Sequence, residues 1–192
     1  MPTHFATTLA RRHVKAVLTG EGADELFAGY AYQHAYAGRP RALADEITRS
    51  LGTMHNINLQ RVDRITMAQG LEARTPFLDR DLIAFAQSIP ATLKIKASDQ
   101  PGGASIEKWI LRKACEDLLP PDLIWRKKAQ FDEGSGTVDA LDVALGQASG
   151  LPAPIDRTAE GALYERLLRE QYADPDLILG AAGRWVADRV ES

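Results

Sequence analysis

The chain has 192 residues, 45% of them hydrophobic and 26% charged, and a net charge of −3. That is enough apolar material for one sizeable core with room for a small appended unit. No block of five lysines and arginines provides a basic field for nucleic acid, and no apolar run approaches the roughly 18 residues of a membrane span. The N-terminus lacks the apolar stretch of a signal peptide. The single cysteine, Cys115, excludes an internal disulfide and fits a reducing compartment, so a cytoplasmic protein is expected. Residues 137–192 hold ten acids and five arginines, which leaves residues 1–136 with a net +2. That balance suits anionic ligands.

In chain order, residues 4–13 read as a short helix and residues 15–19 as a parallel-type strand, the one convincing strand of the chain. An acidic turn follows. After it, Phe27, Tyr30, Ala31 and His34 recur at i, i+3, i+4 and i+7, the spacing of one helix face. Helical patterns continue at about 40–55, 57–70 and 79–88, the last opened by Asp79 as a cap and stopped by Pro90. Residues 97–103 have loop composition, Glu107 to Leu119 reads as an amphipathic helix ended by Pro120 and Pro121, and Cys115 sits in it as a core thiol. The stretch from Lys127 to Gly136 is polar, glycine-rich and expected to be mobile, and after a linker at 150–154 helices are expected at about 158–172 and 176–190. The four histidines have no metal-ligand spacing, so a zinc site is not expected. The pattern is that of a mostly α-helical chain with one strand.

Chemistry is concentrated at the end of that strand. Val17-Leu18-Thr19-Gly20-Glu21-Gly22-Ala23-Asp24-Glu25-Leu26 carries three carboxylates in a glycine-punctuated turn before a helix, and ligands of open α/β sheets sit at the carboxyl ends of strands. Three acids repel a bare phosphate but can hold Mg2+ that bridges to phosphate oxygens. The alternative is that Asp24 and Glu25 only favour the positive end of a helix dipole.

Two further segments bear on this choice. One runs from Arg61-Val62-Asp63-Arg64 through Gly70-Leu71-Glu72-Ala73-Arg74-Thr75-Pro76-Phe77-Leu78-Asp79; the other is Trp125-Arg126-Lys127-Lys128-Ala129-Gln130-Phe131 with Gly134-Ser135-Gly136. With the acidic turn, in this order and spacing over about residues 14–137, they resemble the synthetase domain of glutamine-hydrolysing asparagine synthetases and the related β-lactam synthetases. Ala129 departs from the glutamate of some members.

The resemblance implies an α/β, Rossmann-like ATP-pyrophosphatase domain, present here as its C-terminal part, with residues 1–136 as partial synthetase domain and 137–192 as its helical extension. It implies ATP and Mg2+ as cofactors, adenylation of an aspartate side chain or similar carboxylate, and amidation by ammonia. Carried over residue by residue, Asp24 is the Mg2+ ligand, Glu21 the acid beside the adenylate, Lys128 the lysine on pyrophosphate and the developing charge, and Arg61 the arginine lining the nucleotide side, with Gly20 and Gly22 in the nucleotide-binding turn. Pro76, Phe77 and Leu78 read as architecture, Arg74 and Asp79 as a buried pair, and Arg64 as an ion-pair partner of Asp63 or Glu72. The family's Ser-Gly-Gly-x-Asp-Ser pyrophosphate loop and its glutaminase cysteine do not occur in these residues. A partner chain carrying that half-domain, or a homo-oligomer, is therefore expected, with ammonia free or supplied by a separate glutaminase. The alternative is a degenerate, non-catalytic binding or regulatory homologue.

Overall fold

The computed structural model describes residues 2–97, 104–129, 131–150 and 156–181. The expected loop at 98–103, Gln130, the linker at 151–155 and the helix beyond 181 lie outside the described residues. Backbone contacts divide the chain into two compact units, Leu9–Lys128 and Met1–Thr8 with Ala129–Ser192. A helix α1, Pro2–Ala10, opens the chain.

The larger unit is built around a short parallel pair of strands. β1, Ala16–Leu18, pairs with β2, Glu72–Arg74, in the register Ala16↔Glu72, Val17↔Ala73 and Leu18↔Arg74. The pairing is extended by Glu72 N donating to Lys15 O and Thr19 N to Arg74 O, both at 2.9 Å. The sequence reading of a single strand is corrected here. Glu72-Ala73-Arg74 is too short and too polar to announce itself as a strand, and pairing with β1 creates it.

Parallel strands require a long crossover, and here it is helical. It comprises α2 (Ala23–Phe27), a 3-10 helix (Ala31–Tyr36), α3 (Pro40–Thr53) and α4 (Asn58–Ala68). The one continuous helix expected over residues 27–34 is not formed. Ala28 takes a left-handed conformation with φ 55° and ends α2, so Tyr30 and His34 fall on the 3-10 helix side rather than continuing the face of Phe27. After β2 come α5 (Arg80–Ser88), α6 (Trp109–Ala114) and α7 (Pro121–Ile124). α6 is shorter than the expected 107–119 helix: it starts only after Lys108, which is left-handed at φ 51° and cannot lie inside a helix, and it ends at Ala114, with turns over residues 115–118. Asp79 caps α5 as expected, accepting from Asp81 N at 2.9 Å and Leu82 N at 3.2 Å.

Two apolar clusters hold α2 in place. Leu26, Phe27 and Ala86 are buried with Phe77, Ile83, Ile110 and Leu111 against them, and Ala28 joins Leu43, Ile47 and Ile95 in the second. Burying a side chain such as Leu26, which is fully inaccessible, contributes about 1.5–3 kcal/mol. With Ala23, Glu25, Leu26 and Phe27 all buried, Asp24 is the one residue of α2 left partly open.

The smaller unit contains α8 (Phe131–Gly134), α9 (Thr137–Ser149), α10 (Arg157–Gln171) and α11 (Pro175–Ala181). α10 matches the expected 158–172 helix; α9 was not anticipated, and the stretch expected to be mobile contains α8. Among the described residues no helix is long and apolar enough to cross a membrane.

Candidate active site

The acidic turn is shaped by what packs on it. Gly22 adopts φ 98°, and a Cβ there would lie 2.5 Å from Leu78 Cδ2 and 3.2 Å from Phe77 Cβ. Pro76, Phe77 and Leu78 form a 3-10 turn after β2, so these residues serve as architecture by seating the turn on Gly22. Gly20, by contrast, has open space where a side chain would stand.

Asp24 is the focus. Its Oδ1 lies 2.7 Å from Lys108 Nζ and 2.7 Å from Lys128 Nζ. Gly29 closes over this cluster: a Cβ there would fall 2.9 Å from Asp24 Cγ and nearer still to Asp24 Oδ1 and Lys108 Cε. Burial pushes the Asp24 carboxyl upward, but Lys108 and then Lys128 more than offset it, and the group is held below the ordinary aspartate value. The Lys108 ammonium is itself lowered, chiefly by burial and also by Lys128, with Asp24 opposing.

Lys108 was not singled out by the sequence. It stands 84 positions from Asp24 and looks like one more helix residue. It is held by Lys96 and Ile106, which exchange backbone hydrogen bonds at 3.0 and 2.8 Å, and by Trp109 N donating to Lys94 O at 2.9 Å. The left-handed turn at Lys108 falls between these anchors.

Glu21 and Arg61 form the second pair, Arg61 Nη2 donating to Glu21 Oε1 at 3.3 Å, with Arg61 half-exposed. Burial raises the Glu21 carboxyl above the ordinary glutamate value, Arg61 works against it, and the charges of Glu25 and Asp24 add to the rise. Glu25, expected to favour a helix start, is instead buried, and its Oε1 accepts from Tyr30 Oη and Asn58 Nδ2. Asn58 Nδ2 also reaches Tyr30 Oη at 2.7 Å. Burial and the Glu25 carboxylate push the Tyr30 phenol strongly upward, so it remains a donor. Arg74 and Asp79 do not pair: Arg74 binds Glu72 at 2.8 Å on the surface, Asp79 is the α5 cap, and among the described residues Arg64 pairs with neither Asp63 nor Glu72. Cys115 is a free, half-buried thiol.

Among the described residues no three histidine, cysteine, aspartate or glutamate side chains cluster as a metal site. Asp24 offers one carboxylate, with one oxygen already taken by two ammonium groups. That donor set does not fit a resident Mg2+.

Residues 1–48 and 36–182 match the family model described as asparagine synthase. The chain belongs to the asparagine synthase family. It is similar to asparagine synthetase [glutamine-hydrolyzing] 1 of Arabidopsis thaliana, 43% identical over 128 residues covering 64% of this chain and 21% of that protein. The nodule asparagine synthetase of Pisum sativum is 42% identical over 127 residues, with the same coverage of each chain. Asparagine synthetase [glutamine-hydrolyzing] of Gallus gallus is 34% identical over 173 residues, 81% of this chain and 30% of that one. The chain thus spans between a fifth and a third of the length of these family members.

Proposed function

We propose that this chain supplies the pyrophosphate side of an ATP-dependent amide-forming site of the asparagine synthetase type. In that reaction a side-chain carboxylate oxygen of aspartate attacks the α-phosphorus of Mg·ATP and pyrophosphate leaves. Ammonia then attacks the acyl carbon, AMP departs, and a base takes the surplus proton. The observation that carries the reading is the convergence of Lys108 and Lys128 on one oxygen of Asp24.

The dominant obstacle in this chemistry is negative charge, and preorganised cations lower it. Asp24 holds the two ammonium groups together while no polyphosphate is bound. When a polyphosphate enters, Lys108 and Lys128 transfer to its oxygens, and the vacated Asp24 carboxylate would be able to help hold the Mg2+ brought in with the nucleotide, which would neutralise phosphate charge. Lys128 follows Pro120, Pro121 and α7 on a strand-free segment, where a lysine acts as a movable point charge. Glu21, with its carboxyl raised, is suited to accept the proton from attacking ammonia. Arg61 orients it from the nucleotide side. Open space at Gly20 leaves room for the nucleotide at the strand end.

The described residues contribute only two strands, and the family's phosphate loop is not in this sequence. The reading includes a partner chain, or a second copy, that supplies that loop beside β1; ammonia arrives free or from a separate glutaminase. The test is turnover. The chain purified with the polypeptide carrying the phosphate loop should form AMP and asparagine in equal amounts from Mg·ATP, aspartate and ammonium. Lys128→Ala should lower the rate by about 10² or more. Full turnover in that variant refutes the reading.

A further inference from the structure

Both site lysines trace back to one guanidinium. Arg112, on α6, donates from Nε to the Glu107 carbonyl at 3.0 Å and from Nη2 to the Glu107 carboxylate. Its Nη1 donates to the carbonyls of Ile124 at 2.6 Å and Arg126 at 3.0 Å. Four of the five N–H groups of an arginine are thereby used on protein acceptors. The side chains of Arg112 and Glu107 are only 12% and 9% exposed, so this guanidinium is not available to a ligand. The other Glu107 oxygen faces His34 Nε2 at 3.6 Å, and His34 Nδ1 is 2.5 Å from Ser105 Oγ.

The positions of these acceptors matter. Glu107 is the residue before Lys108, and Arg126 is two residues before Lys128. Arg112 therefore ties the backbone at the root of one lysine to the backbone at the root of the other. We propose that Arg112 is a positioning residue that sets Lys108 and Lys128 on Asp24. It works through the fork geometry of guanidinium, which a lysine cannot reproduce, because an ammonium on a flexible stem cannot hold three carbonyls and a carboxylate at once. The inference deepens the polyphosphate reading above and rests on it for its functional consequence, although the lysine placement can be read without any ligand.

The experiment uses Arg112→Lys in the full chain, which keeps the charge opposite Glu107 and loses the fork. Acetylation footprinting by mass spectrometry gives the labelling rates of Lys108 and Lys128. Calorimetry gives the affinity for Mg·pyrophosphate, and urea unfolding gives the stability. The expected result is a folded variant in which Lys128 labels several-fold faster and Mg·pyrophosphate binds about tenfold more weakly. Labelling of both lysines at the wild-type rate in a folded variant overturns the proposal. If Arg112→Lys does not fold, Glu107→Gln replaces it: the amide oxygen still accepts from Arg112 but without charge, and Lys108 labelling should rise while Lys127, with no part in the clamp, stays constant. An unchanged Lys108 rate there overturns the proposal equally. Wild-type chain that fails to bind pyrophosphate, alongside freed Lys128 in the variant, removes the polyphosphate reading and leaves the positioning role standing.

Discussion

Gly29→Ala is the smallest perturbation that reaches the centre of the site. Gly29 is buried and its φ lies outside the left-handed range, so alanine brings no backbone strain and acts through its methyl alone. That methyl would sit 2.9 Å from Asp24 Cγ, and closer to the oxygen that receives both lysines and to Lys108 Cε. Normal carbon–carbon contact begins near 3.5 Å, so Asp24 and Lys108 must both withdraw. Overpacking of this kind costs about 1–3 kcal/mol. With a urea slope of about 2 kcal/mol/M for a domain of this size, the midpoint should fall by about 0.5–1.5 M. Because the displaced atoms are those that hold the ammonium pair, calorimetry should show weaker Mg·pyrophosphate binding in the same variant. A midpoint and an affinity both equal to wild type would refute the packing of Gly29 on the lysine–aspartate cluster.

Lys94 tests a different part of the larger unit. It is 2% exposed, and no carboxylate among the described residues pairs with it. Burial pushes its ammonium down to about 8 from 10.5. A lysine with a depressed folded pKa lowers stability most below pH 8, and stability recovers as pH rises from 8 to 10.5, where the unfolded chain binds more protons. That difference is worth about 3 kcal/mol. Lys94→Met should therefore be more stable at pH 7 by up to that amount, with the gain shrinking toward pH 10.5 in urea titrations; a variant less stable at pH 7 contradicts the burial argument. Lys108, also lowered from 10.5, should lose its charge at a lower pH than a free lysine does. Mg·pyrophosphate affinity should accordingly decline before that pH, and Lys108→Arg, which stays protonated, should flatten the decline. Asp79→Ala removes the α5 cap and should cost about 0.5–2 kcal/mol in chemical denaturation, with no change in pyrophosphate affinity, since the Asp79 carboxylate accepts from Asp81 N and Leu82 N at the start of α5.

How much of this was legible in the sequence depends on range. The strand at Ala16–Leu18, the Asp79 cap and the helices at 40–53, 58–68 and 80–88 follow from local signals. Spacing and turn chemistry act within a few residues there. β2 escaped because Glu72-Ala73-Arg74 alternates exposed, half-buried and exposed, and only its partner makes it a strand. The break at Ala28 escaped because a left-handed alanine has no sequence signature. Among the site residues, Asp24 and Lys128 are brought together, as are Glu21 and Arg61. Lys108 and Arg112 were invisible as site elements because their meaning lies in contacts with residues 84 positions and 12–14 positions away. The Arg74 and Asp79 pairing failed for the opposite reason, since each found a nearer partner.

The central claim is that Lys108, Lys128 and Asp24 together form a polyphosphate site, and calorimetric titration of the chain with Mg·pyrophosphate tests it most directly. The wild-type chain should bind saturably, and binding should disappear in Asp24→Ala, which removes the carboxylate that organises both lysines. No heat of binding at millimolar Mg·pyrophosphate, or equal binding by Asp24→Ala, would contradict it.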